Sequence, residues 1–336
     1  MSNGNENMNE IEQRARPRII FFGMPGSFSL PVFSTLLASN YEICAVVLPL
    51  RSVPGATILP LRLRSAPAAV KPARFALQMA DGDPLALLKL AWERDIPVWE
   101  VSRLAHPDTV AMLRSFQPDM ICVACFSQRV PSIVLSLPRY GCLNVHPSLL
   151  PDNRGPEPLF WTFRRGDAVT GVTIHIMDEA MDSGDILLQE QIAVPDGISY
   201  AELERCCAQL GGQLLVRAID DLYAGRAHRQ PQDERLSSYY SFPQQEDFVV
   251  KPALWRARHL YNFVRGIGHW EAPVVVSTGE EEWCEVRNAI SYSHYAIETA
   301  TEAEHGTCLS SEGRGLEELA NGNLRVYCSD GWVELR

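Results

Sequence analysis

Short apolar runs alternate with segments whose apolar residues recur at three- and four-residue intervals. This alternation of strand with helix confines the N-terminal half of the chain to a small set of folds. The run "PRIIFFGMPG" stops at a Gly/Pro turn, and "SFSLPVFSTLLAS" continues at helical spacing. A second strand follows in "YEICAVVL". Asp83 with Pro84 behind it has the order of a helix start, N-cap then first-turn proline, continued by "PLALLKLAWERD". Then come a strand at "IPVWEV", a short helix over "PDTVAMLRSF" and a buried strand at "DMICVAC". The predicted fold class is therefore α/β, a Rossmann-like and mainly parallel sheet with helices on both faces.

At 336 residues the chain is long enough for about two domains, each with its own core. Its 46% apolar and 21% charged residues lie in the globular range. The nine cysteines are odd in number and scattered, which argues against a disulfide framework. Cys122 and Cys125 lie in an apolar strand run whose alternate side chains point to opposite faces, so both read as core residues rather than metal ligands. Residues 1–16 are polar, lack the apolar centre of a secretory signal and read as a disordered tail. No stretch has the apolar length needed to cross a bilayer, so a cytoplasmic protein with no membrane partner is expected.

Thirty basic against 41 acidic residues, a net charge of −11, argue against a broad electrostatic binder of nucleic acid. One local exception exists. Between Leu48 and Ala80 lie Arg51, Arg62, Arg64, Lys71 and Arg74 with no acidic residue among them. The same segment holds Pro49, Pro54, Pro60, Pro67 and Pro72, which argue against a long regular element, so 48–80 reads as a long loop.

In sheets of this kind, ligands bind beyond the carboxyl ends of the strands. The strand "GCLNVHP" places Leu143 and Val145 on one face and Asn144 and His146 on the other, because strand side chains alternate. Pro147 ends the ladder, so Ser148, Leu149, Leu150 and Pro151 form an apolar loop beside an amide and an imidazole. Further on, Thr173, His175 and Met177 share one face of a strand, and the turn "DEAMDSGD" supplies Asp178, Glu179, Asp182 and Asp185. Asp182, just ahead of Ser183-Gly184, sits where a turn presents a carboxylate. Taken singly, each of these has an ordinary structural explanation, as a hydrogen-bonded histidine or a solvated turn. A metal site built from His146, His175, Asp178 and Asp182 lacks the paired ligand spacing of zinc or calcium sites, so no metal is expected.

Together, "GCLNVHPSLLPDNRG", "GDAVTGVTIHIMDEAMDSGDIL" and "IIFFGMPGSFSLPVF" resemble the folate-dependent formyltransferases, whose pattern is an N-x-H-x-S-L-L-P run followed by a G-x-T and D-x-G-D segment. The resemblance covers residues 17 to about 225 and implies a catalytic domain there. Ser199 and Glu202 form a capping box, and Gly225 closes the helix that follows. Residues 226–246 are a polar linker. From 247 to 336 the composition shifts to a helix in "KPALWRARHLYNFVRG" and short strands in "APVVVST", "EEWCEVRNA", "NLRVYCS" and "GWVELR". That continuation resembles in particular the methionyl-tRNA formyltransferases, and implies a small C-terminal β-barrel, OB-like.

The departures from the family pattern lie on the acceptor side: "GMPGSF" is one residue longer than the usual turn, the 48–80 segment is longer and proline-rich, and Pro156 to Trp161 are bulkier. The chemistry follows from the residues. An amine attacking the formyl carbon of 10-formyltetrahydrofolate builds negative charge on oxygen and positive charge on nitrogen. Asn144 can donate to the oxyanion, His146, protonated, can donate a second bond, and Asp182 would hold His146 charged and accept the amine's proton. The resemblance places Ser148, Leu149, Leu150 and Pro151 along the folate. It implies initiator methionyl-tRNA as acceptor, met through the basic loop and the C-terminal domain with Arg256, Arg258 and Arg265, or otherwise a small amine such as an amino-sugar nucleotide.

Overall fold

The computed structural model describes residues 16–50, 59–66, 83, 85–270, 272–277, 283–295 and 316–336. The expected tail (but for Arg16) and the basic residues Arg51, Lys71 and Arg74 lie outside them. The first part of the chain runs β1 (Arg18–Gly23), α1 (Ser29–Ala38), β2 (Glu42–Pro49), β3 (Leu61–Leu63), α2 (Ala86–Trp92), β4 (Val98–Val101), α3 (Pro107–Ser115), β5 (Met120–Ala124), α4 (Ser132–Leu135) and β6 (Cys142–His146). It continues through α5 (Pro158–Arg165), β7 (Val169–Ile176), β8 (Ile186–Ala193) and α6 (Tyr200–Tyr223). Among the described residues eight strands form one sheet in the order β3-β4-β2-β1-β5-β6-β7-β8. The strands from β4 to β6 pair parallel, while β3 on β4 and β7 on β6 pair antiparallel.

Alternation along β1 shows why helices cover both faces. Ile20 and Phe22 join Ile121, Val123 and the α3 residues Val110 and Leu113 in one cluster with Val134 of α4. Phe21 points the other way, its ring 5.0 Å from Phe33 of α1. On that second face a methyl group added at Gly211 of α6 would press on Val145 of β6. Central strands buried on both faces need continuous apolar runs, which is what "IIFF" and "MICVA" provide. Helix ends follow local chemistry: Ser199 and Glu202 exchange bonds at the start of α6, and Gly225 follows its end at φ 69°.

Two expectations are corrected. The 48–80 segment is not loop throughout, because Leu61–Leu63 adds an antiparallel edge strand to β4. The physical reason is Glu100, 5% exposed on β4, whose carboxylate pairs with both Arg62 and Arg64 and holds the edge strand in register. Cys122 is a core residue, but Cys125 is exposed, since β5 ends at Ala124 and the backbone turns at Cys125 with φ 56°.

The chain gathers into two compact units that do not follow sequence order. One runs up to Arg154 and adds Gly171–Gln191 and Glu204–Ser238. The other takes Gly155–Thr170, Ile192–Leu203 and Tyr239–Arg336. Within the second unit, α5 packs on α7 (Ala257–Ile267), whose Leu260, Phe263, Val264 and Ile267 form a buried stripe. Phe160 of α5 lies 5.0 Å from Trp270 and 5.2 Å from Phe248. The remaining strands, β9 (Val249–Val250), β10 (Val274–Ser277), β11 (Trp283–Val286), β12 (Ala289–His294), β13 (Leu316–Glu318), β14 (Leu324–Tyr327) and β15 (Gly331–Leu335), form sheets of three (β11-β10-β9) and four (β12-β15-β14-β13).

Candidate active site

The strand order reverses beside β1, so the carboxyl ends of β5 and β6 border the place where such sheets hold ligands. β6 ends there, and its alternation turns Asn144 and His146 to the same side. Antiparallel pairing with β7 sets His175 directly opposite Asn144 and Thr173 opposite His146. The turn after β7 then brings in Asp182, whose φ of 53° lies in the left-handed region. Asp tolerates that region better than most residues, yet holding it there costs about 1 kcal/mol or more.

Four side chains meet at this point. The Asn144 amide donates to His175 Nε2 over 3.2 Å and to Asp182 Oδ1 over 3.4 Å. His146 Nδ1 lies 3.8 Å from Asp182 Oδ2, and His175 Nε2 lies 3.6 Å from Asp182 Oδ1. His146, His175 and Asp182 are 4%, 1% and 8% exposed, so the charges act at low effective dielectric. His146 Nε2 is 3.0 Å from the Asn153 carbonyl oxygen. A carbonyl only accepts, so Nε2 carries the proton and Nδ1 faces the Asp182 carboxylate.

Burial pushes His146 below the ordinary histidine range, against the opposing pull of Asp182 and the Asn153 carbonyl. The protonated His146 expected from sequence is thus disfavoured at rest, because the site removes water from the ring more than one carboxylate compensates. The direction of that shift favours a neutral ring, with the Nε2 proton donated to the Asn153 carbonyl.

The loop expected to border the folate is tied to β7. Thr173 Oγ1 donates to the Ser148 carbonyl over 2.7 Å and accepts from Leu150 N over 3.2 Å, while Gln189 Nε2 donates to Thr173 Oγ1 over 2.8 Å. Ser148 and Leu150 are buried at 1% and 3% exposure, the Ser148 hydroxyl donating to the Asp152 carbonyl. Leu149 packs over Gly171, and Leu149 and Pro151 keep partial exposure. The other carboxylates of the turn serve its shape: Asp178 accepts from Ala180 N and Ser183 Oγ, and Glu179 from Ser132 Oγ. Among the described residues no group of three or more His, Cys, Asp and Glu side chains is placed to hold a metal ion. Sequence reasoning did not assign His175 to the candidate site; the signal was its place on the same strand face as Thr173.

Gly184 fixes the turn from the other end. A methyl group there would run into the carbonyl oxygen of Ile176. Gly184→Ala is expected to destabilise the protein by about 1–3 kcal/mol, as overpacking does, measured by urea unfolding. It should lower activity further by moving Asp182.

Two cavities lie at the carboxyl ends of β4 and β5. One of about 490 Å³ is lined by residues including Arg103, His106, Gln128 and Arg129, and one of about 310 Å³ by Arg129, Val130, Pro131, Ser132 and Glu179. Neither is lined by Asn144, His146 or Asp182, but the second reaches the Asp182 turn through Glu179.

The sheet brings an amide, an imidazole and a carboxylate together beside one strand end, groups of the kind that can meet the two charges of an acyl-type transition state. The formyl transferase family model matches residues 65–219. A methionyl-tRNA formyltransferase from Syntrophus aciditrophicus is 37% identical over 324 residues, covering 96% of this chain and 93% of that protein. One from Geotalea daltonii is 31% identical, covering 91% and 87%. In fold, the chain matches a crystal structure of the N-formyltransferase from Helicobacter canadensis with folinic acid and dTDP-3-aminofucose. That match has a TM-score of 0.60, 15% identity, and coverage of 95% of this chain and 98% of that one. The chain belongs to the formyltransferase family. Among the described residues no helix is long and apolar enough to cross a membrane.

Proposed function

We propose that the protein transfers the formyl group of 10-formyltetrahydrofolate to the α-amino group of methionyl-tRNA. The observation that carries the chemistry is the convergence of Asn144, His146 and Asp182 at the end of β6. The full-length likeness to methionyl-tRNA formyltransferases supports the acceptor.

In this reading the neutral amine attacks the formyl carbon, forming the new C–N bond and an oxyanion. Asn144 donates to that oxygen by exchanging its long 3.4 Å bond to Asp182 for the new acceptor. The amine nitrogen, now cationic, gives its proton to Nδ1 of neutral His146, and Asp182 stabilises the resulting imidazolium. The proton passes on to the folate nitrogen as its bond to the formyl carbon breaks and the carbonyl reforms. The folate lies along Leu149 and Pro151, with Ser148 and Leu150 anchoring that loop from beneath. The cavities around Arg103 and Arg129 suit its anionic end. Residues 17–225 supply the catalytic domain, 226–246 the linker and 247–336 a small β-barrel of OB type, a reading that rests on the likeness of this continuation to methionyl-tRNA formyltransferases. The enzyme works in the cytoplasm.

A second reading, transfer to an amino-sugar nucleotide or other small amine, is favoured by one observation. Arg62 and Arg64, two of the five candidate phosphate contacts, share Glu100, and Arg258 of α7 pairs with Asp196. An acceptor screen separates the readings. With methionyl-tRNA as acceptor, changing Arg51, Lys71 and Arg74 to Ser should weaken binding and reduce the salt slope by roughly 0.9 per lost phosphate contact. Folate affinity should stay unchanged. Turnover with amino-sugar nucleotides alone would establish the second reading.

A further inference from the structure

We propose that the linker is part of the catalytic machinery, and that Gln232 is a positioning residue that holds Asp182 in its left-handed conformation. The inference rests on the reading of Asp182 as a member of the site and assigns it a support drawn from outside the expected catalytic domain.

Every hydrogen-bonding group of the Gln232 amide is engaged. Its Nε2 donates to the carbonyl oxygens of Asp182 and Gly184, each over 2.8 Å. Its Oε1 accepts from Arg154 Nε over 3.1 Å and from Nη2 over 2.8 Å. Arg154, 8% exposed, is held in turn by Glu234 through both terminal nitrogens, at 3.0 and 2.8 Å. The two carbonyls that Gln232 grips flank the Asp182 to Gly184 turn, so the bonds fix the backbone that aims the carboxylate. Two neighbouring contacts make the same connection: Gln230 and Ile186 exchange N–H···O bonds of 2.9 Å just after the turn.

The same strap also fixes the partner of His146. Asn153, at φ 64°, offers its carbonyl to His146, and its N–H is held by Ser238 Oγ over 2.8 Å. Ser238 N donates to the Pro151 carbonyl, and Arg154 N to the Ser238 carbonyl. Both non-glycine residues with left-handed backbone that touch the His146 environment are thus clamped by residues 230–238. A tether between domains needs none of these bonds.

The test compares Gln232→Glu and Gln232→Met with Asp182→Asn. Gln232→Glu keeps the pairing with Arg154 but replaces the two donations to the turn with a carboxylate facing two carbonyl oxygens; Gln232→Met loses both the pairing and the donations without adding charge. The groups facing His146 are Asp182, His175 of β7 and the Asn153 carbonyl. The Asp182 charge raises the His146 pKa, so a displaced Asp182 lowers it. We expect both Gln232 variants to lose at least tenfold in kcat with folate KM within threefold. In Gln232→Met, which adds no charge, the His146 ring should titrate lower by NMR than in the unaltered protein. Unchanged kcat, or a loss in kcat with unchanged His146 titration in the folded fraction, overturns the proposal, because global destabilisation alone does not move that titration. Full activity in Asp182→Asn would instead overturn the underlying reading of the site.

Discussion

His146→Ala and Asn144→Ala are each expected to lower turnover at least a hundredfold in formyl-transfer assays with 10-formyltetrahydrofolate, with both proteins remaining folded. The size follows from where the groups act. Losing one preorganised donor to a developing oxyanion costs about 3 kcal/mol in the transition state, and losing the base leaves the amine proton without an acceptor. Little of that loss should appear in KM, since both groups act on charge that develops mainly in the transition state. Turnover within tenfold of the unaltered enzyme in either variant would remove that residue from the mechanism.

Asp182→Asn should cost a similar factor through a different route. The substitution keeps the size of the side chain and removes the charge that lies 3.8 Å from His146 and 3.6 Å from His175. Burial already lowers the His146 pKa, and losing the carboxylate lowers it again, so the imidazolium formed during transfer becomes harder to reach. Folate affinity, measured by calorimetry, should change less than threefold. A stability consequence shares the same sign logic: a histidine held below its unfolded value contributes stability above about pH 6.5, and this is lost as the pH falls further. Equal losses of folate affinity and rate would show that Asp182 shapes the pocket rather than the charge.

Much of this was legible in the chain because the relevant periods are short. The alternation in "CLNVH" places Asn144 and His146 on one side without knowledge of anything distant, and the order of strands and helices implies the parallel sheet. What was not legible depends on register between separate segments. His175 joins the group only because β7 pairs antiparallel with β6 at one offset, opposite Asn144. Glu100 is a lone acid in "VWEV", and its burial makes sense only once an edge strand arrives carrying Arg62 and Arg64. Gln232 stands in a polar linker with no pattern to mark it, because a hydrogen bond to a backbone carbonyl leaves no trace in side-chain periodicity.

The discontinuous second unit bears on how the protein is made. A ribosome releases the chain from its N-terminus, so Phe160 and Phe163 of α5 emerge well before the residues that enclose them. Phe248, Phe263 and Trp270 follow roughly a hundred residues later. At about 5–20 residues per second, that segment waits on the order of 5–20 s without its partners. During this interval the nascent chain carries an aromatic face without the Phe248, Phe263 and Trp270 rings that pack on it, and a chain released early, before α7, would keep that face. Premature termination in this protein therefore yields a sticky product rather than a smaller enzyme, and binding of such fragments by chaperones should depend on Phe160 and Phe163.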